Sequence, residues 1–157
     1  MENINISNEL IHIMNNASTI KVISTLDRNG NPHVVFKDAV FMREDGMIVL
    51  IERLESSITN ENLVKSIRFN NVIALNILSV EDKISFMIQG ILERAIIYGK
   101  EFQKYYIQMK KIYGNIDIST IWLIRPLSIQ EKTLQKRINE EKKDHPMLMH
   151  LDQIYRK

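Results

Sequence analysis

The stretch Thr25–Val35, TLDRNGNPHVV, joins two runs of β-forming residues through a short polar segment. Asn29-Gly30 in its centre is a strong signal for a hairpin turn, because glycine adopts positive φ without a steric cost. Pro32 has no backbone N–H to give to a neighbouring strand, so it suits the first position of the returning strand. The stretch therefore predicts two antiparallel strands joined by a tight turn.

Similar signals extend this hairpin along the chain. Alternation over 19–26 places Ile20, Val22 and Leu26 on one face of the first strand. Arg43–Gly46 predicts a second tight turn, which makes the first three strands a meander. Strands are predicted near 19–26, 33–43, 47–53, 71–78, 83–97 and 118–126. Helices are predicted near 8–16, 60–69 and 99–113, and in the charged tail from 132.

Two residues are expected to interrupt or end the later strands. Gly90 interrupts a long β-type run and predicts a bulge or bend there. Pro126 is expected to close the last strand. The order of elements predicts a mainly β, α+β fold, an antiparallel six-stranded β-barrel with helices at its ends.

The composition excludes several classes of protein and site. The 157 residues are 45% hydrophobic and 25% charged, which suits one domain with a real core. Without cysteine, disulfides, thiolate metal sites and iron–sulfur clusters are excluded. The net charge of +2 is spread along the chain, and no basic face with aromatics is recognisable, so we expect no nucleic-acid partner. No apolar run is long enough to span a bilayer, and the first ten residues do not resemble a signal peptide, so we expect a cytoplasmic location.

The glycines and histidines supply no familiar catalytic motif. The 5 glycines fit turns, bends and helix ends, and none builds a nucleotide-binding loop. His145 and His150 are five residues apart, which is wrong for two metal ligands on one helical face, so we expect no metal. No serine lies in a Gly-x-Ser-x-Gly elbow, so we assign no catalytic residue.

A polar cluster, ESSITNEN at Glu55–Asn62, lies between a predicted strand and a predicted helix. Free backbone N–H groups and the positive end of the helix dipole make such a place suitable for phosphate. The alternative is an ordinary helix cap, by Ser57 or Thr59, because Ser and Thr are common caps. The residues alone leave both interpretations open.

The returning strand, HVVFKDAVF, carries a basic residue among apolar neighbours. Alternation places His33, Val35 and Lys37 on one face and Val34 and Phe36 on the other. Lys37 therefore suits either an anionic ligand or an exposed edge of a core strand.

Taken together, these motifs resemble the pyridoxamine 5'-phosphate oxidase-like family with the FMN-binding split barrel. The similar segments are the hairpin at Asp27–Val35, the helix opening at Ser56–Asn62, the strand NNVIALNI at Asn70–Ile77 and the strand IWLIRP at Ile121–Pro126. The resemblance implies a split-barrel domain over residues 1–130, followed by a charged helical extension over 131–157.

The resemblance also implies a cofactor and an assembly. It implies a homodimer with FMN in grooves between the subunits, and FMN rather than FAD because no dinucleotide-binding turn is present. It suggests that Val35, Phe36 and Lys37 line the isoalloxazine and that the phosphate lies at Ser56, Ser57, Thr59 and Asn62. Trp122 is suggested to pack near the flavin of the neighbouring subunit, with a place in the core as the alternative.

The resemblance implies a small FMN-dependent oxidoreductase of unknown substrate. Many relatives carry proline at the position of Phe36 and a basic residue at the position of Ile58. The arginine-rich motifs of true pyridoxamine phosphate oxidases are not recognisable, so vitamin B6 oxidation is not expected. Ile58 favours the alternative, a non-enzymatic split barrel that has lost FMN or binds another flavin, haem or anionic ligand.

Overall fold

Eleven elements follow one another in residues 6–146, the part of the chain that the computed structural model describes. Their bounds are α1 Asn8–Asn15, β1 Ile20–Leu26, β2 Pro32–Phe36, β3 Val40–Met42, β4 Ile48–Glu52, α2 Ile58–Phe69, β5 Ile73–Ser79, β6 Ile84–Ile96, α3 Gly99–Tyr113, β7 Thr120–Glu131 and α4 Leu134–Asp144. Part of the predicted extension over 131–157, including His150, lies outside the described residues.

The seven strands form a single curled sheet in the order β2-β1-β5-β6-β7-β4-β3, and every pairing is antiparallel. The two edge strands, β2 and β3, are joined by only the three residues 37–39. So short a link spans little distance, and the sheet must curl until its edges approach. The predicted antiparallel split barrel with flanking helices is confirmed. No helix within residues 6–146 is long and apolar enough to cross a membrane.

The strand count is seven, so the prediction of six is wrong. The predicted strand over 33–43 breaks at Lys37–Ala39, where the chain leaves β1 and joins β4. The Asp38 carboxylate accepts a hydrogen bond from the Ala39 backbone N–H at 2.9 Å. Such a local side-chain contact competes with the ladder and favours a break.

Both predicted hairpin turns are present. Gly30 and Gly46 have φ of 82°, the conformation that favours glycine. Asp27 accepts the backbone N–H groups of Asn29 and Asn31 at 2.8 Å each, and Pro32 begins β2. The opening motif therefore folds as the sequence predicted.

The predicted bend at Gly90 is confirmed by a register shift between Gln89 and Gly90 in the pairing of β6 with β7. A Cβ at Gly90 would lie 2.9 Å from the Arg125 carbonyl oxygen, so the strands approach too closely for a side chain. Pro126 lies opposite this bulge and does not end β7, which continues to Glu131. The predicted end of the last strand at Pro126 is therefore wrong.

Two hydrophobic cores cover opposite faces of the sheet, one inside the barrel and one outside it. Inside the barrel, Leu10 and Met14 of α1 pack with the inward residues of the strands. Outside it, Tyr105 and Met109 of α3 cover β4 and β7. All five residues of β4 are buried, because both of its faces are covered.

The first strand presents an unexpected face to the interior. Ile20, Val22 and Leu26 share a face, as predicted, but Ile20 and Leu26 are exposed. The inward face carries Lys21, Ile23 and Thr25. A lysine is therefore buried on this strand, a feature that the apolar pattern of the strand did not indicate.

Candidate functional site

A cavity of about 430 Å³ opens at the end of the barrel where β2 leaves the sheet and β4 ends. Its volume lies within the range of ligand pockets, roughly 300–1,000 Å³. The lining residues are Phe36, Lys37, Asp38, Ile51, Glu52, Arg53, Leu54, Ile116 and Asp117. Two of the predicted site residues, Phe36 and Lys37, lie in this lining.

Phe36 is the exposed aromatic of the cavity, with 77% of its surface accessible. Val35, its neighbour on β2, faces the other way and packs against the inner core. The predicted alternation of this strand is thus present. Phe36 therefore presents an apolar ring at the edge of the sheet, while Val35 packs against the core.

Lys37 forms an ion pair with Glu52, a residue that no sequence motif indicated. Its Nζ lies 2.6 Å from Glu52 Oε2, and the Glu52 side chain is only 4% exposed. Glu52 is the last residue of β4, so the pair connects the Lys37–Ala39 link to the end of that strand. Barrel closure, rather than sequence proximity, creates this contact.

A second ion pair borders the same cavity. Arg53 Nη2 donates to both carboxylate oxygens of Asp38, at 2.9 and 3.0 Å. The Arg53 guanidinium also lies 5.2 Å from the centre of the Tyr113 ring. Burial, with the Asp38 carboxylate nearby, raises the pKa of Tyr113. Both basic side chains of the cavity are therefore neutralised by carboxylates.

The helix opening lies beside the cavity, since Leu54 of its lining precedes α2 by a short turn. Ser57 caps α2, and its hydroxyl accepts from the Asn60 backbone N–H at 3.0 Å. Ser56 is exposed. Ile58, the first helical residue, is 57% exposed. The backbone N–H groups at such a helix start have no partner within the helix.

Three contacts, two of them buried, attach this helix start to the barrel. Thr59 Oγ1 lies 3.3 Å from His33 Nε2 on β2, and the Asn62 amide donates to Thr25 Oγ1 at 3.0 Å. The Trp122 indole N–H donates to Asn60 Oδ1 at 3.0 Å. These contacts fix the start of α2 against β1, β2 and β7.

Of the predicted site residues, only Phe36 and Lys37 line the cavity, and the set as a whole lies in different environments. Phe36 and Ser56 are exposed, whereas Thr59, Asn62 and Trp122 are buried and hydrogen-bonded within the chain. Contact of the eight residues with FMN stays a prediction. Glu52 was missed, because only the curled sheet shows its partner. Asn60 lay in the polar cluster at Glu55–Asn62, but its bond to Trp122 was not predicted.

Comparison with known proteins gives a likeness in fold. Neither a protein-family model nor a curated protein sequence matches the chain. HupZ of Group A Streptococcus matches with a TM-score of 0.67 at 15% identity, over 83% of this chain and 96% of that chain. An FMN-binding protein from Syntrophomonas wolfei matches with a TM-score of 0.62 at 19% identity, over 80% and 88% of the two chains. A pyridoxamine 5'-phosphate oxidase-related, FMN-binding protein from Nostoc punctiforme matches with a TM-score of 0.54 at 12% identity, over 76% and 75%.

Proposed function

We propose that this chain, which has the split-barrel fold of the pyridoxamine 5'-phosphate oxidase-related FMN-binding proteins, binds FMN where β2 meets the start of α2. The observation that carries the proposal is the exposed Phe36 ring beside an open cavity of about 430 Å³. An exposed aromatic edge suits a flat, largely apolar ring system. The FMN-binding proteins of the same fold support this choice of ligand.

The residues present fit the two ends of FMN differently. Phe36 and Leu54 offer apolar surface to the isoalloxazine ring. The amides at the start of α2, with the Ser56 hydroxyl, suit a phosphate. Lys37 and Arg53 already hold carboxylates, so the phosphate would rest mainly on backbone N–H groups and the helix dipole.

We further propose that the chain forms a homodimer. Ile20, Val34, Phe36 and Leu78 are exposed on adjacent strands, and the registers of β1 with β2 and β5 place them on one face. A contiguous apolar face of this kind is typical of an interaction surface. A second copy would cover it by two-fold symmetry and close the groove beside Phe36.

The flavin, once bound, would supply the redox chemistry of a small oxidoreductase. The chain's own residues would bind it, orient its ring and exclude water from one face. Lys37 and Glu52 would hold the sheet edge under the ring as a fixed, neutral pair. Phe36 would set the position of the ring.

The test is the visible spectrum of the purified full chain, followed by titration with FMN and with riboflavin. We expect a bound-flavin spectrum, a Kd for FMN near 1 µM or below, and weaker binding of riboflavin. Phe36→Ala should weaken both flavins. Leu127→Ala, at an exposed leucine of β7, is the matched control and should weaken the binding of neither flavin. A chain that binds neither flavin would contradict the proposal.

Sedimentation equilibrium tests the dimer separately. We expect Phe36→Asp to shift the chain toward monomer at micromolar concentration, because a charge on the apolar face opposes its burial. Leu127→Asp should leave the assembly unchanged. A wild-type chain that sediments as a monomer would overturn this part of the proposal.

The second candidate function is a split-barrel module without FMN. The pairing of both cavity cations with carboxylates favours it, because no charge is left for the phosphate from these two side chains. In that case the same titrations would show no flavin binding while the dimer persists.

A further inference from the structure

A second cavity, of about 310 Å³, lies on the other side of the Lys37–Ala39 link. It is bordered by the segment between α1 and β1, by β3 and by α3. Its walls are largely apolar, with side chains from Ala17, Val40, Phe41, Met109 and Ile112. It has the form of a small ligand pocket, an apolar space with few polar groups.

Lys21 is the basic group of this cavity, and it is only 6% exposed. Its Nζ donates one hydrogen bond, to the Asn16 carbonyl oxygen at 3.2 Å. Within residues 6–146 it forms no ion pair with a carboxylate. An ammonium carries three N–H donors, so two of them are left for another acceptor.

Asp38 lines the same cavity but does not satisfy Lys21. Both of its carboxylate oxygens accept from Arg53. Asn15 is also engaged, since its amide bonds twice with the backbone of Met42. Asp38 and Asn15 are thus engaged with other partners, and the charge of Asp38 compensates only part of the burial of Lys21.

We propose that this cavity binds a small organic carboxylate, whose oxygens accept from the two remaining N–H groups of Lys21 while its carbon body packs against Phe41, Met109 and Ile112. A buried cation is favourable only with a well-placed anion, and the ligand would supply it. Burial lowers the pKa of Lys21, and the nearby Asp38 carboxylate offsets this only in part.

The chemistry of the walls selects the ligand class. One lysine matches one negative charge, and the Asp38 carboxylate in the same wall opposes a dianion such as phosphate. The apolar walls favour a ring or short chain over a small inorganic anion. The site does not depend on flavin binding, since it lies across the link from Phe36.

The experiment uses two probes of similar shape and different charge, benzoate and benzamide, titrated calorimetrically into the full chain. We expect benzoate to bind about tenfold more tightly than benzamide, because only the carboxylate makes a charge-assisted hydrogen bond. Lys21→Met, which keeps an unbranched side chain one atom shorter, should remove this preference. Lys142→Met, at an exposed lysine of α4, is the matched control and should keep it.

A second variant locates the binding independently of Lys21. Ala17 is exposed at the rim of the cavity, so Ala17→Phe should obstruct the opening without disturbing the core. We expect it to weaken benzoate at least tenfold. The proposal is overturned if wild-type chain fails to bind benzoate, if it binds both probes equally, or if either Lys21→Met or Ala17→Phe keeps the wild-type affinity.

Discussion

Lys21 on β1 and Lys37, the residue that follows β2, lie side by side and are joined by a backbone hydrogen bond of 2.9 Å from the Lys37 N–H to the Lys21 carbonyl. Their amines are satisfied very differently. Lys37 contacts a buried carboxylate at 2.6 Å, whereas Lys21 has only a backbone carbonyl at 3.2 Å. Two cavities flank them, one at each lysine.

The difference teaches that a lysine beside a cavity is not in itself a ligand site. At Lys37 the charge is already used, so an anion entering there gains little from it. At Lys21 the charge is buried and mostly unused, so an anion would relieve an existing cost. The proposed flavin site thus depends on backbone amides and an aromatic edge, and the proposed carboxylate site depends on one amine.

Removing Lys37, the partner of the buried Glu52 carboxylate, should have the largest effect on stability. Lys37→Met leaves the Glu52 carboxylate buried without its partner, and we expect it to lower the free energy of unfolding by about 3–5 kcal/mol. Urea denaturation measures this change. Arg28→Met is the matched control, because the Arg28–Glu61 pair is exposed and should contribute only about 0–1 kcal/mol.

A double variant separates the pair from its surroundings. Lys37→Met combined with Glu52→Leu removes both charges and should recover most of the lost stability. If the double variant is as unstable as Lys37→Met alone, Glu52 is not the cause.

Removing the unpaired charge should act in the opposite direction. Lys21→Met deletes a buried amine with one hydrogen bond, and we expect the free energy of unfolding to rise by about 2 kcal/mol at neutral pH. Because the pKa of Lys21 is lowered in the folded chain, the unfolded chain binds more protons. Wild-type stability should therefore rise with pH, between this lowered pKa and the ordinary pKa of lysine.

The advantage of Lys21→Met should consequently shrink as the pH rises through that window. Thermal melts of the two chains at several pH values measure it, with Lys142→Met as the control for a lost surface lysine. Asp38 and Tyr113 also line the cavity, and the comparison between variants cancels their common contribution. A constant difference across the window would contradict the buried-charge interpretation.

The contrast between the two lysines also shows what the sequence could and could not predict. The hairpins were predictable because their signals are local, Gly30 and Gly46 in their turns and Pro32 at a strand start. The break at Lys37–Ala39 was not, because it depends on a change of strand partner. Apolar alternation favoured Ile20 and Val22 as the core face of β1, so Lys21 was overlooked.

The features of the candidate site also divide into those that local sequence predicted and those that it could not. The opposite faces of Val35 and Phe36 followed from alternation along one strand, and a cap by Ser57 or Thr59 followed from their place before a helix. The partners of Lys37 and Trp122, Glu52 and Asn60, are 15 and 62 residues away along the chain. Contacts of that separation are set by the closure of the barrel, which no short motif encodes.

A positive charge added at the start of α2 tests the proposed flavin site. Ile58 is exposed at the first position of α2, so Ile58→Lys should leave the melting temperature nearly unchanged. If the phosphate rests on this helix start, the new ammonium should tighten FMN about tenfold, or about 1.4 kcal/mol. Riboflavin, which lacks the phosphate, should gain nothing, and the gain for FMN should fall at high salt.

Paired titrations of FMN and riboflavin against both chains measure this effect. Val64→Lys, at an exposed position farther along α2, is the matched control and should not alter the affinity for FMN. An equal gain for both flavins would show that the phosphate lies elsewhere.

The smallest effect concerns Thr19, which precedes Lys21 by two residues and is likewise buried. Its hydroxyl oxygen is the only buried side-chain polar atom without a hydrogen-bond partner in residues 6–146. Thr19→Val replaces the hydroxyl by a methyl group of similar size, and removing an unsatisfied polar atom should raise the free energy of unfolding by up to about 1 kcal/mol. Thr19→Ser is the control, since it keeps the hydroxyl and loses the methyl group, and it should be less stable than the wild-type chain. Urea denaturation of the three chains ranks them. If Thr19→Val is less stable than the wild-type chain, the hydroxyl has a partner such as a bound water, and the unpaired side of the comparison is confined to Lys21.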